Sequence, residues 1–133
     1  MKTTAHEIAL RLESAGFGTF ASQSTLLWSI NVSIQPDAPN NTITVYDTGG
    51  LDPDTDELDL KRPTFQVRVR SLHYQDAATK IQEIARYLIF QRGVMGDHNY
   101  VTINQESEFL DIGSDDNDRA QLTCNFRAIK NEV

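Results

Sequence analysis

Apolar residues recur at three- and four-residue intervals through Ala5, Ile8, Ala9, Leu12 and Ala15, which is one stripe on an amphipathic helix. Thr4-Ala5-His6-Glu7 has the spacing of a capping box, so Thr4 is predicted to open this helix, and Gly16 to stop it by taking the left-handed conformation. A second stripe, Ala77, Ile81, Ile84, Ala85 and Leu88, predicts a helix capped by Asp76 and ended by Gly93.

Elsewhere the period is two. Leu26 to Ile34, with Ile30, Val32 and Ile34 alternating, reads as a strand that ends before Pro36, and 36–41 reads as a turn. Thr42 to Asp47 reads as a second strand with Ile43 and Val45 on one face, ended by Gly49 and Gly50. In the next strand Phe65, Val67 and Val69 alternate with Gln66, Arg68 and Arg70, so its polar face is predicted to present two guanidinium groups. A turn at 96–99, short strands at Tyr100–Ile103 and Phe109–Ile112 and a turn over 113–118 follow. The chain then ends in the strict alternation of Ala120, Leu122, Cys124, Phe126 and Ala128, a long, half-buried central strand. This order lacks the regular βα alternation of a doubly wound fold. It predicts an α+β class: a mixed, mainly antiparallel sheet with two helices packed on one face and a long acidic loop or hairpin extension, all in one domain over 1–133.

Composition narrows the function. The formal charge is -7 over 133 residues, which disfavours a protein that grips phosphates but suits a surface along which DNA slides. No stretch of apolar residues is long enough to span a bilayer. The one cysteine forms no internal disulfide, and charges interrupt the first apolar stretch, so maturation in a reducing cytoplasm is expected.

The candidate chemistry is thin. Segment 51–62 carries Asp52, Asp54, Asp56, Glu57 and Asp59 without apolar periodicity and reads as an exposed loop. Its first carboxylates are spaced like a calcium loop, but Glu57 and Pro63 stand where glycine and a bidentate Glu are needed, so no metal is expected; a calcium-binding module is the remoter alternative. His6-Glu7 begins like a zinc-protease helix, yet Leu10 stands where the second histidine belongs, and His73 and His98 read as surface residues. Cys124 lies on the apolar side of its strand, the wrong setting for a nucleophile. No phosphate-binding loop or catalytic elbow is present, so no cofactor and no enzymatic activity are expected. Interaction is left: Arg68 and Arg70 on one copy complement Asp52, Asp54, Asp56 and Glu57 on another, and head-to-tail contacts of that kind close into rings.

Four segments carry a family resemblance: Leu12 to Gly16 as Leu-x-x-x-Gly, Ile43-Thr-Val-Tyr-Asp-Thr-Gly-Gly50, Arg62-Pro-Thr-Phe-Gln-Val-Arg-Val-Arg70 before an Ala-rich helix, and Gly113-Ser-Asp-Asp-Asn-Asp-Arg119 before Asn125-Phe126. In this order the chain resembles the minor capsid or tail terminator proteins of long-tailed bacteriophages. The resemblance implies a virion protein assembled in the host cytoplasm. It implies a hexameric ring at the head-proximal end of the tail tube, with the tube protein and the head-tail connector as partners and DNA passing through the lumen. A head-completion or stopper protein of the neck is the alternative. The resemblance carries over no catalytic residues; the expected interface positions are Arg68, Arg70, the acidic loop, and Asp115, Asp116 and Asp118.

Overall fold

The computed structural model of the chain describes residues 2–23, 27–51 and 60–132. The expected acidic loop, with Asp52, Asp54, Asp56, Glu57 and Asp59, and the start of the first expected strand at Leu26 lie outside the described residues. Helix α1 spans Thr4–Ser14. Its cap is Thr3, one residue before the expected one: the Thr3 hydroxyl accepts from the His6 N–H at 3.3 Å. Asp47, arriving from a strand, accepts from the Ala5 N–H at 2.9 Å, so a distant carboxylate supplies the second cap. Gly16, at φ +86°, ends α1 as expected, with the Phe17 N–H on the Leu12 carbonyl and the Gly16 N–H on that of Glu13.

Eight strands follow around the second helix: β1 (Thr19–Phe20), β2 (Ser29–Val32), β3 (Thr42–Leu51), β4 (Arg62–Ser71), α2 (Tyr74–Leu88), β5 (Gly93–Met95), β6 (His98–Gln105), β7 (Leu110–Ser114) and β8 (Ala120–Glu132). They form one mixed sheet in the order β1-β2-β3-β4-β8-β6-β5, with β7 also on β8. Among the described residues only the β1–β2 and β2–β3 pairs are parallel. The α+β class is therefore correct, and β8 is central as its alternation predicts, with β4 along one edge and β6 and β7 in succession along the other.

In-register rows show why this pattern folds. Ile43, Val69 and Leu122 face one another across three strands, as do Val45, Val67 and Cys124, and all are buried. The rings of Phe65 and Phe126 stack with centroids 5.1 Å apart. The stripes of both helices close over this face, α1 above β2 and β3 and α2 above β4 and β8. Lys80 of α2 lies over the rings of Trp28 at 4.9 Å and Phe17 at 5.7 Å, pinning those aromatic residues against the helix.

Several boundaries differ from expectation. Strand β2 is short, and Ile34 projects into solvent at 74 % exposure because segment 33–41 turns back across the sheet. Gly49 and Gly50 do not end β3; the strand bulges between Asp47 and Gly50 and continues to Leu51. Gly50, at φ +125°, lies so close to the backbone of Arg62, Pro63 and Thr64 that a side chain there has no room. Helix α2 begins at Tyr74 with His73 as its cap, leaving Asp76 in the first turn, and Gly93 opens β5 instead of closing α2. Turn 96–99 is the tighter corner of the β5–β6 hairpin, and the strand expected at Tyr100–Ile103 extends over His98–Gln105.

Candidate functional site

The side of the sheet opposite the helices carries the polar positions of the ladders. Tyr46, Gln66 and Asn125 form one row, and Thr44, Arg68 and Thr123 another. Arg68 lies 5.1 Å from the centroid of the Tyr46 ring and donates one long bond, 3.5 Å, to Gln66 Oε1; its Nε is buried without a hydrogen-bond partner among the described residues. Arg127 stands exposed two residues along β8 from Asn125.

The expectation of two presented guanidinium groups fails at Arg70. Segment 35–40 folds over that end of the face, and the buried Arg70 donates to the carbonyl oxygens of Pro39 at 2.7 Å and Asn40 at 3.3 Å. Burial first, and then the guanidinium of Arg119, pull its pKa below the usual arginine value. Asp115 is likewise engaged internally. It accepts from Arg119 Nε at 2.8 Å and from the backbone N–H groups of Asn117 and Arg119, while Arg119 also reaches Asp37. Burial raises the Asp115 pKa, but those donors and the Arg119 charge outweigh it and hold the carboxyl below its ordinary range. Asp116 and Asp118 remain exposed in the turn.

A buried charge cluster is the feature that sequence reasoning missed. Glu7, instead of completing a capping box, turns inward and is 1 % exposed. Its Oε1 accepts from His98 Nδ1 at 2.8 Å, the Tyr100 hydroxyl at 2.9 Å and Lys130 Nζ at 3.2 Å, and its Oε2 accepts from the Asp97 N–H at 2.7 Å. Burial by itself pushes the Glu7 carboxyl up, but the bonds from His98, Asp97 and Tyr100 and the Lys130 charge bring it below its ordinary value. Tyr100 is shifted upward, by burial first and then by the Glu7 charge. Burial lowers the Lys130 pKa, opposed by Glu7. His98 is accordingly a core residue and not the surface histidine expected from its place in a turn. The arrangement ties α1 to β6 and β8 through groups 91 and 123 residues apart, and its carboxylate is saturated with donors.

Cys124 faces the core, where burial pushes its thiol up to about 11. Among the described residues no group of three His, Cys, Asp or Glu side chains could hold a metal ion, and no helix is long and apolar enough to cross a membrane.

A groove of about 650 Å³ runs between α2 and residues 105–109, lined by Glu83, Arg86, Ile89, Phe90, Glu108 and Phe109 among others. Phe90 at its rim is 73 % exposed. Among the described residues, five of the nine exposed large hydrophobics, Phe90, Val94, Val101, Leu110 and Ile112, fall between the end of α2 and β7. The family model described as bacteriophage tail terminator protein matches residues 11–132. No curated protein matches the chain.

Proposed function

Because the chain belongs to the bacteriophage tail terminator family, we propose that it closes into a hexameric ring at the head-proximal end of the tail tube. There it ends tube polymerisation and presents a surface to the connector proteins of the neck. The family match over residues 11–132 carries this reading, since it spans nearly all of the described fold. The protein acts by contact, without catalysis, in the virion neck. The net charge of -7 keeps DNA from adhering as it passes through the lumen.

Arg68 is the interface residue best supported by its surroundings, because its donors are nearly unused within the chain. Asp116 and Asp118 are exposed and available to a neighbour, and the acidic run Asp52, Asp54, Asp56 and Glu57 complements Arg68 in charge. Arg70 and Asp115 serve the fold first. The test is to omit the protein during phage assembly and image the products. Overlong or ragged tails are expected; filled heads that leak DNA, with tails of normal length, identify a stopper and overturn the reading.

A further inference from the structure

The two charged surfaces of this chain lie on opposite sides of one sheet. On the open side, the ladder positions of the four central strands include Thr44 and Tyr46, Thr64, Gln66 and Arg68, Thr123, Asn125 and Arg127, and Thr102 and Asn104: polar or basic but for Ile129 beside Thr102, with no carboxylate inside these strands. Opposed residues of an antiparallel pair share a face. Asp111 is in register with Leu122, whose side chain is in the core, so Asp111 lies on the helix side of β7. Glu108 and Glu83 line the groove on that same side, where Arg86 is the one cation among the described lining residues.

Arg68 and Arg127 therefore cannot meet Glu108 and Asp111 within one molecule, and of the two carboxylates Asp111 accepts only from the Gly113 N–H at 2.8 Å among the described residues. Arg127 and Glu108 are exposed and form no ion pair among the described residues, and Arg68 Nε has no partner. A guanidinium over an aromatic ring that makes one long bond, to Gln66, among the described residues keeps terminal N–H groups to offer a carboxylate. A head-to-tail contact between copies brings the open side of one sheet against the helix side of the next, which is the relation these two surfaces need.

We propose that copies of this chain dock with the Arg68–Arg127 face of one on the Glu108–Asp111 rim of the next, Phe90 at the groove mouth providing the apolar anchor. This deepens the ring reading and rests on it: it names the two surfaces that join. The apolar burial supplies affinity, and the charges fix which face meets which rim.

The experiment uses two full-length variants at exposed positions, Arg127→Glu and Glu108→Arg, followed by light scattering alone and by electron microscopy with purified tail tubes. Each variant alone carries like charges on both surfaces, so the concentration for half-assembly rises roughly tenfold or more. Mixed in equal amounts, they alternate around the ring and assembly returns, because each surface then meets its opposite. Thermal midpoints near that of the unaltered chain exclude misfolding as the cause. If the variants assemble as well as the unaltered chain, or if the mixture does no better than either alone, this contact is wrong while the ring stands. If the unaltered chain forms no closed assembly in solution or on tube ends, the ring reading falls, and this contact with it.

Discussion

Replacing Glu7 with Gln tests whether the buried cluster holds the fold together. The substitution keeps shape but removes the charge opposite Lys130, which is 4 % exposed, and points an amide NH₂ at groups that are themselves donors: His98, Tyr100 and the Asp97 N–H. Lys130 Nζ, 3.2 Å away, loses its counter-charge in a dry site. Breaking a buried pair on one side costs about 3–5 kcal/mol, because the remaining charge stays desolvated. For a chain of 133 residues that lowers the thermal midpoint by roughly 10–18 °C. Thermal and urea unfolding followed by circular dichroism read this directly. The double variant Glu7→Gln with Lys130→Met recovers part of the loss, since the stranded ammonium is gone. Acid titration of the unaltered chain gives a second readout. The folded Glu7 pKa lies below its ordinary value of 4.5, so the stabilisation is complete above that value and disappears as pH falls through the folded-state pKa. A midpoint within about 3 °C of the unaltered chain for Glu7→Gln at neutral pH would refute the argument.

Arg119→Ala is expected to lower stability by about 2 kcal/mol, mostly through Asp115, because Asp37 is exposed and its pair is screened. Asp116→Ala stays within about 0.5 kcal/mol, and denaturant midpoints that rank the two the other way reject a structural role for Asp115. Gly50→Ala is expected to destabilise by roughly 2 kcal/mol or more, since a Cβ meets backbone on three sides; Gly49→Ala, strained but open, loses about half as much. Equal losses in the two would mean that the close approach of β3 to β4 is irrelevant. Cys124 in the folded chain is expected to react with a thiol-specific disulfide reagent roughly a hundredfold more slowly than in the urea-unfolded chain, its thiol being buried and pushed up to about 11. Comparable rates in the two states would contradict its placement in the core.

Where the hydrophobic period is long and regular, the sequence is a reliable guide to this fold. The stripe from Ala77 to Leu88 and the alternation from Ala120 to Ala128 both lie where they are expected, because core burial and local geometry demand the same residues. Single polar residues are harder. Glu7 has capping spacing, and only His98, Tyr100 and Lys130, far along the chain, decide that it turns inward. Arg68 and Arg70 are indistinguishable by alternation; the difference is segment 35–40 crossing over one of them. Asp47 caps α1 only because β3 brings it to the helix start. The exposed groove between α2 and residues 105–109 has no local signature, since it is made by two segments whose contact is tertiary.

The position of β8 sets an order of events during synthesis. Residues 120–132 supply the seam that joins β4 to β6 and β7, so a chain without them holds two parts of a sheet with bare edges, bridged only through the helices. The sheet is whole only after that seam is filled. Truncation before residue 120 is therefore expected to yield material for aggregation or proteolysis and no folded subunit.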